Sequence, residues 1–311
     1  MAAGFERPGR AARDARRILR RQIRKALRAL APRRPNDEDI HDARKLIKSA
    51  RATLRLMRAV ISKRDYRRGN RLLQEAGRPL SAARDAKILV EACDGVLRRS
   101  RQTREIGGTR RLRETLVRSR SEARRALLED GELQRSCKLL RRARQVAGRW
   151  SLRHGGTIEL AAGARRVYAQ GRQSMQYARA EPSVAALHEW RKQAKYLYLQ
   201  LELLEGLYGP AAAHLAKRLH VLSDELGEDH DLALLRLSVA AHQEDFANDA
   251  RAADFATLIE HTRRALQQRA LLRGGRLYRP RPVGFVQRLA GRRVSRARKH
   301  RRAQSSPRRR R

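Results

Sequence analysis

An all-α fold of two related helical bundles is expected, and three observations lead there. The hydrophobic share of the 311-residue chain is 41% but aromatics make up only 4%, so the core is built of Leu, Ala, Val and Ile. Long segments of this composition, nearly free of Gly and Pro, favour helices over sheets. Apolar residues then recur at steps of three and four between short Gly/Pro breaks. Finally, one basic pattern, His-x-x-Arg-Lys-x-x-Lys, occurs at His41 and again at His188, an offset of 147 positions. A repeat that long reads as two bundles rather than a short-period solenoid.

The elements follow in order. Residues 11–30 form a basic amphipathic helix with Ile18, Leu19, Ile23, Leu27 and Leu30 on its apolar side, ended by Pro32 and Pro35. Asn36 or Asp37 caps the next helix, and the acids at 37–39 suit its positive N-terminal dipole. That helix carries the first motif to about residue 61. A helix at 64–78 is expected to stop near Gly77 and Pro79, and another spans 80–99. Helices at 110–129 and 132–147 follow the breaks Gly107-Gly108 and Asp130-Gly131. A looser stretch from Gly148 to Gly156 links the halves. The second half restarts with a helix at 158–180, the second motif helix at 184–207, a helix at 211–226 ending before Gly227, and another opened by Glu228-Asp229-His230-Asp231. Leu80 and Arg84-Asp85 align with Leu226 and His230-Asp231, so the duplication continues past the motif.

Charge narrows the function. A formal net charge of +42 implies a polyanionic partner: nucleic acid, an acidic membrane or a phosphate polymer. The excess of Arg over Lys suits bidentate phosphate contacts. No signal peptide opens the chain and no apolar run reaches the length of a membrane span, which points to the cytoplasm. Cys93 and Cys137 are too few for a disulfide framework or a zinc site and sit among core residues. No Walker A, dinucleotide-binding glycine or nucleophile-elbow pattern is present.

On a helix, His41, Arg44, Lys45, Lys48, Arg51 and Arg55 fall within roughly 120° of arc, opposite Ala43, Leu46, Ile47, Ala50, Leu54 and Met57. His188, Arg191, Lys192 and Lys195 repeat the arrangement. A protonated histidine donates to phosphate, and Arg and Lys add charge-assisted hydrogen bonds. Two such faces could line one groove that holds a flexible polyanion. Arg20 and Arg24 of the first helix and Arg172 of the helix at 158–180 complete the expected phosphate-binding set. Lowering the pH through about 6.5 is expected to tighten binding as the histidines gain protons.

These segments resemble the CHAD family, the conserved histidine α-helical domains. Its helix His-x-x-Arg-x-x-x-Arg/Lys is matched by His41, Arg44 and Lys48 and by His188, Arg191 and Lys195. Its later Leu-Gly-x-x-Arg/Asn-Asp segment is matched by Ala83-Arg84-Asp85 and by Leu226-Gly227 with Asp231. The resemblance covers residues 10–275, as two repeats of about 10–147 and 158–275, and leaves a basic, partly disordered tail at 276–311. It implies a pair of four-helix bundles around a basic central channel that binds inorganic polyphosphate. The residues themselves offer no complete catalytic set, cofactor or metal site, so binding without catalysis is expected, in the cytoplasm, where polyphosphate granules are one place of action. The second motif departs from the family pattern: it continues Lys195-Tyr196-Leu197-Tyr198, and Glu202 stands where the first half has Arg55. The Glu-x-Glu-x-Lys signature of the triphosphate tunnel domains often fused to this family is absent, which implies a stand-alone binding protein.

Two other readings compete. The tail from Arg288 to Arg311 holds twelve Arg/Lys and could bind nucleic acid without sequence preference. The Glu228–Asp231 cluster, with His188 or His220 and Asp249 or Asp254, could hold the metal of a phosphohydrolase. Acids enriched at a helix N-terminus explain that cluster more simply.

Overall fold

The computed structural model describes Phe5 and residues 8–99, 107–153, 156–242 and 252–289. Among these residues there is no strand. The helices are α1 (Ala11–Ala29), α2 (Asp37–Leu56), α3 (Lys63–Arg99), α4 (Gly107–Glu129), α5 (Glu132–Gly148), α6 (Thr157–Ala180), α7 (Val184–Tyr208), α8 (Pro210–Ala241) and α9 (Ala252–Leu277). Residues 282–289 form a further helix.

Local chemistry starts the two motif helices. Asn36 and Asp39 close a capping box, each side chain accepting from the other's backbone N–H at 2.9 Å. Ser183 Oγ accepts from Ala186 N at 3.1 Å to start α7. The apolar side predicted for α2 is buried at Ala43, Ile47, Ala50, Leu54 and Met57, all at or below 3% exposure, and half-buried at Leu46.

Two expected breaks do not occur. The helices foreseen at 64–78 and 80–99 are one helix, α3, which runs through Pro79. Buried Leu72, Leu73, Ala76 and Leu80 hold both sides of the proline to one core, and Ser81 Oγ donates to the Gly77 carbonyl at 3.0 Å. Burial of an apolar face outweighs the roughly 3 kcal/mol that an interior proline costs. Likewise α8 runs unbroken through Gly227, so the Glu228–Asp231 cluster lies mid-helix and no helix N-terminus attracts its acids.

α2 packs against α7, α3 against α8, and α1 and α2 against α6, so the halves share their packing. One large apolar cluster draws on α1, α2, α3, α5, α6, α7 and α8. A second, smaller one joins the far ends of α3 and α8 to α4 and α9 through Val90, Cys93, Leu112, Leu235, Phe255 and Ile259. Along α3 the first cluster ends at Ala83 and the second begins at Val90; along α8 the corresponding residues are Leu226 and Leu232. A polar layer separates the cores there.

The described start of the connection, residues 149–153, is pinned rather than loose. Trp150 is buried, its carbonyl accepts from Arg16 Nη1 at 3.0 Å, and Arg153 N donates to the Val60 carbonyl at 3.0 Å. The packed region also continues past residue 275. Tyr278, Phe285 and Leu289 are buried, and the Phe285 ring stacks on Tyr168 at 4.2 Å. Periodicity over so short a basic segment gave no sign of this docking. The rest of the expected tail, from residue 290, lies outside the described residues, as does Asp249.

Candidate functional site

The polar layer brings together side chains from α2, α3, α7 and α8, and it contains the centre of both predicted strips. Arg44 is its most enclosed cation, 8% exposed. Its Nη1 donates to the Leu80 carbonyl at 2.8 Å, and its Nη2 lies 3.6 Å from Asp85 Oδ1. Burial lowers its pKa, with Asp85 opposing. Arg44 thus ties α2 to α3 and offers little of its fork to a ligand.

Lys48, one turn further along α2, differs. It is exposed to solvent although helices crowd around it. That enclosure, with Arg44 and Arg191 adding like charge, pushes its pKa down to about 8. Arg191 enters from α7 and lies over Gly227 of α8, where a Cβ would stand 3.5 Å from its Nε. The missing side chain at Gly227 leaves room for the guanidinium against the α8 backbone. Lys195, one turn along from Arg191, stands 4.8 Å over the Tyr198 ring and 4.0 Å from Asp224 Oδ1. Lys45 and His41 occupy the exposed end of the α2 strip.

The histidines are placed otherwise than expected. The His188 and His230 rings lie 4.4 Å apart. Burial, then the Arg191 charge, lowers the pKa of His188 and takes that of His230 down to about 4. Burial and Arg84 lower that of His41. At neutral pH these rings are uncharged, so the expected tightening near pH 6.5 moves to more acid conditions. Asp231 faces Arg191 and Arg84, yet burial dominates and raises its carboxyl to about 6.

Other predicted residues lie outside the layer or are already partnered. Arg55 stacks over Tyr196 of α7 at 4.2 Å, and Arg51 lies 5.7 Å from the same ring. Tyr196, where the second motif departs from the family pattern, is therefore the surface on which two cations of the first strip rest. Lys192 is ion-paired with Glu189. Glu202 accepts from the Tyr198 hydroxyl at 2.8 Å. Arg172 Nε donates to the Tyr278 carbonyl at 3.1 Å and so fastens the segment after α9. Arg20 and Arg24 line a depression between α1 and α5, away from the layer.

The Glu228–Asp231 cluster diverges, as consecutive residues on a helix must. Glu228 meets Arg99 at 2.5 Å. Asp229 is held by Gln267 at 2.7 Å and by Arg263 at 3.2 Å. His230 turns to His188. Among the described residues no three His, Cys, Asp or Glu side chains converge as metal ligands. Sequence reasoning had placed Arg84, Asp85, His230 and Asp231 in register with one another but had not assigned them to the cation site. The common spacing from each motif histidine was the available signal. The burial of Tyr196 under Arg55 left none.

The family model described as the CHAD domain matches residues 17–240. Among solved structures, PptA from Streptomyces chartreusis is similar at 15% identity and a TM-score of 0.62, over 86% of this chain and 99% of that one. The CHAD domain from the plant Ricinus communis is similar at 20% identity and a TM-score of 0.56, over 93% and 94%. At these identities the two structures speak for the fold. No curated protein matches the chain. Among the described residues, no helix is long and apolar enough to cross a membrane.

Proposed function

We propose that this chain, which belongs to the CHAD domain family, binds linear inorganic polyphosphate in the cleft between α2, α3, α7 and α8 and leaves it chemically unchanged. The observation that carries this reading is the convergence of Lys48 of α2 with Arg191 and Lys195 of α7; burial first, and these like charges second, lower the Lys48 pKa to about 8. Like charges gathered in this way repel one another until an anion enters. Each phosphate oxygen that does so gains charge-assisted hydrogen bonds. A phosphate chain is thin and flexible and can thread a groove too narrow for a duplex. Asp85 and Asp224 beside the cleft are engaged by Arg44 and Lys195. A cytoplasmic site of action, at polyphosphate granules, belongs to the same proposal.

Calorimetry at fixed salt and neutral pH tests it. Lys48→Ala with Lys195→Ala should lower polyphosphate affinity by about 1.5–3 kcal/mol per cation removed. Circular dichroism should show the helices intact. A folded double variant that binds polyphosphate as wild type does would remove the basis of the proposal. So would phosphate release from polyphosphate that disappears in Asp231→Ala.

A further inference from the structure

A second cationic surface lies on the first half, away from the cleft. α5 packs between α1 and the N-terminal part of α3, and a depression runs along each side of it. The first, about 460 Å³, is lined by Arg13, Arg17, Arg20 and Arg24 of α1 and Arg144 of α5. The second, about 960 Å³, is lined by Lys63, Arg64, Arg67 and Arg71 of α3 and Arg142 of α5. Acids are sparse: Asp14 pairs with Arg17, and Glu75 lies at the edge of the second depression.

The ridge between them has its own order. Gln134, Lys138, Arg141 and Gln145 of α5 are exposed and follow steps of four, three and four. On a helix they form one stripe within roughly 60° of arc. Arg142 and Arg144 flank the stripe and reach into opposite valleys. A single helix edged by two rows of cations has the form of an element entering the major groove of B-form DNA. That groove is about 12 Å wide and admits an α-helix, with a phosphate backbone on each side. Lys, Arg and Gln are the side chains that donate to guanine and adenine edges there. No aromatic residue lines either depression, so single strands find no stacking platform. The major groove of an RNA duplex is too deep and narrow for a helix.

We propose that α5 and the two arginine valleys beside it form a docking face for duplex DNA, independent of the cleft. The test uses the full chain, a DNA duplex of about two turns, roughly 20 base pairs, and fluorescence anisotropy over a range of salt. The variant carries Arg13→Ser, Arg64→Ser, Arg67→Ser and Arg142→Ser, all exposed positions that line the valleys. Its logarithmic salt slope should fall by about 3–4, one contact being lost per arginine. Affinity for DNA should drop at least about tenfold, while polyphosphate affinity by calorimetry stays at the wild-type value. The Lys48→Ala, Lys195→Ala variant should show the opposite pattern. Wild-type DNA binding by the arginine variant would place the contact elsewhere in the chain and overturn the proposal. Equal loss of DNA and polyphosphate would overturn it as well, as would an RNA duplex binding as tightly as DNA.

Discussion

Lys48 opposes folding for the same reason that it attracts an anion. The unfolded chain holds this proton up to the ordinary 10.5, the folded chain only up to about 8. Between those values the unfolded state binds more protons, so stability rises with pH; at neutral pH the full cost of the charge is present. Solvent reaches the side chain and screens that cost. Lys48→Met should therefore stabilise the protein at neutral pH by about 0.5–1 kcal/mol while weakening polyphosphate binding. Urea midpoints and calorimetry read the two effects. Asp231 has the opposite sense. Its carboxyl, raised to about 6, is ionised at neutral pH and protonated well below that. Asp231→Asn should tighten polyphosphate binding several-fold at neutral pH, and the advantage should vanish as the pH falls toward 4. A gain that persists unchanged in acid would show that charge is not its cause.

At the scale of elements, the polar layer depends on close helix crossings. α6 meets α2 where Gly163 faces the Leu56 carbonyl, and a Cβ at residue 163 would fall inside contact distance of that backbone. A backbone carbonyl, unlike the far end of a side chain, gives way only if the helices separate. Gly163→Ala should cost about 3 kcal/mol or more, at or above the upper end of ordinary overpacking. Gly284→Ala, with nothing within 4 Å of its Cβ position, should change the urea midpoint little. Equal effects would mean that the α2–α6 approach is not a constraint. The pairing of α7 with α2 rests on polar contacts too: Gln200 Nε2 donates to the Ala52 carbonyl at 3.1 Å in the buried interface.

For the whole molecule, the decisive feature is that neither half owns its core. The larger cluster passes from Leu54 and Leu56 to Leu160, Leu197 and Leu201, and the smaller one from Val90 to Leu232 and Phe255. Separated at 148, each half would expose an apolar face that its partner now covers. Residues 1–148 and 149–311 expressed singly should lack a cooperative thermal transition, and mixing them should restore helicity and polyphosphate binding. A stable, two-state first half would show that the halves are independent domains.

The all-helical class, the two motif helices and their caps could be read from residue types alone. They rest on local rules: apolar steps of three and four, and an Asn or Ser ahead of the first turn. Pro79 and Gly227 misled for the complementary reason. Their local cost is real, but burial along α3 and α8 exceeds it, and burial is a property of the assembled fold. The strips were legible as strips. Which cations remain available was not, because that depends on partners distant in sequence: Leu80 and Asp85 for Arg44, Tyr196 for Arg55, Tyr278 for Arg172. The sequence by itself determined where positive charge gathers on each helix. Only the tertiary structure decided which of those charges hold helices together and which, like Lys48, stay exposed to solvent among neighbouring cations, because desolvation and pairing arise only when helices meet.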